Sequence, residues 1–191
     1  MSDLLVLMLI IALITIFSVR MHNNIIKKYN RMRQAWADVI VQVRQKELVI
    51  PKIEKIVNEH KEFESTVLTE ITKMRSLASD LYKSPETVSP QTLKNYKDNF
   101  DTLFKSIKLT VENYPDLKSI NLYRDLANQI SEQEDNISAA IRIYNSNVAE
   151  FNTSIEEFPN NYINKTFTKK NPGQPFEHEQ SSIDIGFTPT F

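Results

Sequence analysis

No glycine precedes Gly173 in this 191-residue chain, and the other glycine is Gly186. Everything upstream therefore lacks the residue that positive-φ turns, tight hairpins and phosphate-cradling loops most need. A sheet protein requires such turns every few residues, whereas a helical one requires few. The expectation is an all-α fold.

Leu4 to Val19 reads LLVLMLIIALITIFSV, with only Thr15 and Ser18 polar and no charge. Both hydroxyls can return to the helix backbone. As a helix this run spans roughly 24 Å against a hydrocarbon thickness of about 30 Å, a gap that Met1, Ser2 and a snorkelling Arg20 can close. Inside a soluble core, an apolar helix with no polar face would have to be surrounded on every side, which a domain this small does not offer. A cleaved leader needs basic residues ahead of the run and small residues at its exit; here Asp3 precedes it and Phe17-Ser18-Val19-Arg20 follows. Residues 1–21 are expected to be a single transmembrane anchor.

Charge is unevenly spread. From Arg20 to Lys46 there are seven Lys or Arg against the single acid Asp38, and the rest of the chain is acidic. Arg20, Lys27, Lys28, Arg31 and Arg33 follow the apolar run, and no Lys or Arg precedes it. That asymmetry predicts a cytoplasmic body. The same five bases are candidate contacts for anionic lipid head groups, worth about 1 kcal/mol each near the surface. Nucleic acid is disfavoured as a partner, because the basic cluster sits at the membrane and the body is acidic.

Between prolines 51, 85, 90, 115 and 159 the apolar residues recur at helical spacing. The longest seam runs Leu122, Leu126, Ile130, Gln133, Ile137, Ile141, Tyr144, Val148, Phe151, Ile155, Phe158. Another runs Leu93, Tyr96, Phe100, Leu103, Phe104, Ile107, Val111, with Ser89-Pro90 as N-cap and first helical residue. Ile53, Ile56, Phe63, Val67, Ile71, Met74 and Leu81 form a third, ending at Ser84-Pro85. Upstream, Trp36, Ile40, Val43 and Ile50 form a stripe that keeps phase across Pro51, so this proline either kinks one helix or separates two. The expected architecture is an antiparallel bundle of three to four long helices over 22–159, following the anchor. The remainder, 160–191, is expected to be an irregular or extended tail whose phenylalanines pack along the bundle or serve a partner.

Chemistry is sparse. Cysteine is absent, which removes disulfides, thiolate nucleophiles and thiolate metal sites. His22, His60 and His178 form no zinc-protease pair, and His60 with Glu64 reads as a helical ion pair. Glu132, Glu134, Asp135, Glu156 and Glu157 lack the Glu-x-x-His partners of a di-metal bundle and read as a solvated face. Trp36 reads as core. No catalytic residue, cofactor or metal site is expected. The corner Asn113-Tyr114-Pro115-Asp116 is the best candidate interaction loop, against its reading as a plain helix-to-helix turn.

Several blocks together resemble the LemA family, bacterial membrane proteins with one N-terminal span. They are Tyr29-Asn30, Ala35-Trp36-Ala37-Asp38, Val41-Gln42-Val43-Arg44, Glu47-Leu48-Val49-Ile50-Pro51, the stretch Glu112 to Lys118, Glu134-Asp135-Asn136-Ile137, Tyr144-Asn145 and Phe158-Pro159. The resemblance implies a helical bundle with a membrane address and no established reaction; some relatives begin with a lipoprotein cysteine, which implies a body outside the cytoplasm, whereas the charge asymmetry favours a cytoplasmic body at the bacterial inner membrane. Where relatives often carry Asn-Leu-Val after the proline this chain has Lys52-Ile53-Glu54, and the family's His-Glu pair falls at Phe63-Glu64. The expected function is a membrane-anchored interaction or scaffold protein with an unknown protein partner. The alternatives are a membrane-bound regulator or carboxylate-based enzyme, and a homo-oligomer that shapes the membrane laterally.

Overall fold

The computed structural model describes residues 2–59, 65–83, 88–113 and 121–176, and every regular element within them is helical. The long elements are α1 (Ser2–Glu47), α2 (Ile50–Glu59), α3 (Ser65–Lys83), α4 (Pro90–Asn113) and α5 (Asn121–Glu156). They are followed by the single turn α6 (Asn160–Ile163) and a π-helical turn over Asn164–Thr168. The all-α expectation holds.

The bundle is organised by α1 and α5, which pack against each other from Ile25 of α1 onward. Lys28 pairs with Glu150 at 3.5 Å, Tyr29 stacks on Phe151 with ring centroids 5.5 Å apart, and Trp36 stacks on Tyr144 at 4.8 Å. Further out Lys46 meets Glu134. Each step forward along α1 is matched by an equal step back along α5, which is an antiparallel pair in constant register. Ile25, Val39, Ile40 and Val43 on one side, and Ile137, Ile141, Val148 and Phe151 on the other, are buried in its seam.

Pro51 settles between the two readings left open for it. The helical ladder stops at Glu47, and a short turn follows in which Leu48 and Val49 donate to the carbonyls of Gln45 and Lys46 at 3.2 and 3.0 Å. Pro51 then lies in the first turn of α2, where a missing N–H leaves no bond unmade. Direction survives the interruption, because Lys52 on α2 reaches Gln129 on α5 in the same register. The first leg of the bundle is thus one helix broken but not reversed.

The middle legs complete an up-down-up-down order. Arg75 on α3 bridges Glu54 on α2 at 2.6 Å, and α3 packs on α4. Helix α4 runs in the same sense as α1: Trp36 Nε1 donates to the carbonyl of Val88 at 2.9 Å, just before α4, while Lys46 lies over the ring of Phe100 within it. The start of α4 is as expected, with Ser89 Oγ accepting the Thr92 N–H at 3.1 Å. The α4 seam is buried at Leu93, Tyr96, Phe100, Leu103, Ile107 and Val111. Phe63, and the side chains of Ile56, Leu81 and Leu122, lie outside what is described. One seam assignment changes: Phe158 is 80% exposed, because α5 ends at Glu156 and the residues before Pro159 no longer follow helical phase.

Beyond Lys169, which leaves the π turn in a left-handed conformation (φ 50), residues 169–176 run back as an extended strap against α5. Two asparagines on α5 hold it as a neighbouring strand would. Asn152 Oδ1 accepts the Gly173 N–H at 2.7 Å while its Nδ2 donates to the Gly173 carbonyl at 3.0 Å. Asn145 treats Phe176 the same way, at 2.8 and 2.9 Å. The spacings match: two helical turns, roughly 10 Å, cover the same distance as three extended residues. Between them Tyr144 OH donates to the Gln174 carbonyl at 2.6 Å, and Phe176 enters the core. Gly173 lies close to α1: a Cβ there would stand 2.4 Å from Met32 Sδ, so a larger residue makes the end of the Met32 side chain shift.

Replacing Asn152 with Ala leaves the N–H and C=O of Gly173 without their partner, a loss of about 1–3 kcal/mol for the two bonds. The expected result is accelerated hydrogen exchange at the Gly173 amide with the amides of α1 and α5 still protected. Unchanged exchange at Gly173 would show that the strap does not depend on the amide pairing.

Candidate functional site

Two features of the bundle exceed ordinary packing. The first is a charge cluster in the interior. Lys46 follows Val39 and Val43 at seam spacing, so α1 carries its ammonium into the core, where the residue is fully buried. Lys97 does the same from α4, one turn after Leu93. Glu134 on α5 accepts from Lys46 and stands 3.4 Å from Lys97 through its other oxygen. Asp101, exposed on α4, is 4.0 Å from Lys46, and the ring of Phe100 lies 3.7 Å beneath the Lys46 ammonium. Two cations, two anions and a π face thus compensate one another across three helices.

Compensation is incomplete. Loss of water pushes Lys46 down to about 7, against the pull of Asp101 and helped by repulsion from Lys97. Burial also lowers Lys97, opposed by Asp101 and Asp98. Lys46 can therefore exchange a proton near neutral pH. Glu134, which its sequence neighbourhood places on a solvated face, is instead a half-buried partner of two core lysines. The signal that could have found the cluster was present in the seams, where two lysines occupy positions that the heptad assigns to apolar side chains.

The second feature is an open groove of about 580 Å³ along α1, bounded by the start of α4 and by the strap. Its floor is apolar, with Tyr29, Met32, Trp36 and Ile40, and Arg33, Gln34 and Arg44 supply polar edges. Trp36 was expected to be core and is half-buried: its indole N–H is held by Val88 while the groove runs past it. Tyr144 also lines the groove, and burial raises its phenol above the usual tyrosine range, so it stays a neutral donor to the strap.

The expected sites fall in different places. Asn113 is the exposed last residue of α4, while Tyr114, Pro115 and Asp116 lie outside the described residues, as do His60, Phe63 and Glu64. Arg20, Lys27, Arg31 and Arg33 are exposed on α1, and Lys28 is half-buried against Glu150. Among the described residues no three His, Asp or Glu side chains converge as a metal-binding group. From Leu4 to Val19 every large apolar side chain is exposed, and Thr15 and Ser18 return their hydroxyls to the carbonyls of Ile11 and Ile14 at 2.8 Å, as expected. This helix is long and apolar enough to cross a membrane.

Residues 35–187 match the family model described as LemA family. Protein LemA of Metamycoplasma hominis is 30% identical over 141 residues, which cover 74% of this chain and 62% of that relative's own length. The chain thus spans somewhat under two thirds of the curated relative it matches.

The cluster has a pH signature. Lys46 binds its proton less tightly when folded (about 7) than when unfolded (10.5). The cost of the buried charge is therefore fully present below pH 7, and stability rises as pH climbs from about 7 toward 10.5. Chemical denaturation across that range should show this rise in the native protein and a weaker one in Lys46→Met, with Lys97 sustaining the remainder. Equal slopes in the two proteins would refute the assignment to Lys46.

Proposed function

The chain belongs to the LemA family, and from that premise we propose that it is a non-enzymatic, membrane-anchored interaction protein of the bacterial inner membrane. Its cytoplasmic bundle recruits a protein partner at the groove beside Trp36. The observation that carries this reading is the continuity of α1: one helix of 46 residues holds both the exposed apolar run and the first leg of the bundle. No flexible linker intervenes, so the bundle stands at a fixed height and rotation above the bilayer. Such a stalk suits a protein that presents a surface. The groove supplies that surface, with an apolar floor for anchoring side chains and arginine edges for carboxylates. The basic residues after Val19 support the cytoplasmic orientation.

The native chain has no cysteine, so single cysteines report cleanly. Thr153→Cys in intact cells should resist a membrane-impermeant maleimide and react only after permeabilisation; reaction in intact cells would reverse the orientation. A photo-crosslinking residue at Gln34 in native membranes should give a discrete adduct that the same residue at Thr153 does not. Indistinguishable adduct patterns at the two sites would overturn recruitment at the groove.

A further inference from the structure

The end of the bundle nearest the apolar run carries a group of exposed aromatic residues that packing does not explain. Phe158, Tyr162 and Phe167 are 80%, 64% and 66% exposed, and Phe158 meets Tyr162 edge-on with centroids 6.0 Å apart. They do not sit on a frayed end. Asn160 and Thr168 in the same segment are buried, Ile163 packs on the core, and both α6 and the π turn contact α1. Asn164 clamps the exit by accepting the Lys170 N–H and donating to its carbonyl, both at 2.9 Å. A fixed platform therefore holds three large rings in the open.

Their height follows from the α1–α5 register. Tyr29 faces Phe151, so five residues back along α1 and five on along α5 bring the helix end at Glu156 level with Asn24, and Phe158, two residues beyond that end, falls near the level of His22. Residue 22 lies three positions past Val19, roughly 4.5 Å along the helix axis. The head-group layer beyond the hydrocarbon is roughly 5–7 Å deep on each side of a bilayer. Phe158, and Tyr162 in ring contact with it, consequently stand at the depth where aromatic side chains are enriched in membrane proteins, and Phe167 belongs to the same short segment. The same segment carries Lys165, Lys169 and Lys170, and α1 carries Arg20 and Lys27 within five residues of His22, against Glu156 and Glu157 at the end of α5. Lys170 is drawn over the Tyr29 ring at 4.2 Å, which leaves Lys165 and Lys169 as the exposed cations of this segment.

We propose that the turn between α5 and the strap is a second membrane contact. Phe158, Tyr162 and Phe167 enter the head-group layer of the leaflet from which α1 emerges, and Lys165 and Lys169 bind anionic phospholipid. This contact rests on the spanning role given to α1 above. With it the bundle touches the bilayer at two points, and its tilt about the α1 stalk is fixed.

The test uses the full chain reconstituted in phosphatidylcholine vesicles with and without phosphatidylglycerol, carrying one spin label at a time on Phe158→Cys, Tyr162→Cys, Phe167→Cys, Ile143→Cys or Ile10→Cys. Labels at 158, 162 and 167 should collide more with oxygen and less with a water-soluble nickel chelate than the exposed control at 143, and more so with phosphatidylglycerol present. Lys165→Gln combined with Lys169→Gln should shift the docked fraction back, by roughly fivefold per lysine on the anionic vesicles. If 158, 162 and 167 are as accessible to the chelate as 143 while 10 is shielded, the second contact is wrong and the span stands. If 10 is also open to the chelate, the spanning role itself fails, and the second contact with it.

Discussion

The antiparallel seam of α1 against α5 is the constraint from which the other placements follow. Because the pairing keeps constant register from Lys28–Glu150 to Lys52–Gln129, it fixes where α5 ends relative to the apolar run, where the strap begins its return, and where the core lysine meets its carboxylate. Buried aliphatic and aromatic side chains supply the attraction, each worth on the order of 1.5–3 kcal/mol when removed from water. Attraction of that kind has no address, however. Two heptad faces can slide by a turn at modest cost, and something directional has to choose among the offsets.

The buried charges provide that choice. An ammonium taken out of water costs several kcal/mol unless it meets a well-placed anion. Sliding α1 by one turn would move Lys46 away from Glu134 and off the Phe100 ring, leaving a cation in an apolar seam. The cluster therefore stabilises the native offset mainly by penalising the others. Lys97 ties α4 into the same arrangement, so three of the four legs share one directional anchor. The depressed affinity of Lys46 for its proton shows that the site retains part of the desolvation cost. A cluster kept for stability alone would be an inefficient substitute for packed leucines.

Periodicity made the helices, their seams and the Ser89-Pro90 start legible, because those depend on neighbours three and four residues apart. The apolar run was legible for the same reason, down to the hydroxyls of Thr15 and Ser18. What escaped were pairings between distant segments. Nothing local distinguishes Glu134 from the acids beside it, and only the folded register shows that it faces Lys46 and Lys97. An extended tail with phenylalanines along the bundle was legible, and Phe176 packs so, but its fastening was not: Asn145 and Asn152 read as helix-surface polars until Gly173 and Phe176 are brought beside them. Phe158 looked like the next seam residue because the sequence count continues past the point where the helix stops.

Height above the bilayer then separates the two surfaces of this protein by the chemistry each can meet. On the spanning reading proposed above, α1 is the ruler. Trp36 lies seventeen residues beyond Val19, roughly 25 Å along a straight helix, and the groove beside it opens well clear of a head-group layer only some 5–7 Å deep. Lipid cannot fill it, and a partner reaching it must be dissolved in the aqueous phase or project from the membrane on its own stalk. The strap forms one wall of that groove through Gly173 and Gln174, and the same strap is tied by way of Asn164 and Lys170 to the turn at the opposite, membrane-facing end. The foot of the bundle and the groove wall are thus joined by one continuous stretch of chain, fastened by Asn164 to Lys170 at one end and by Asn152 to Gly173 at the other.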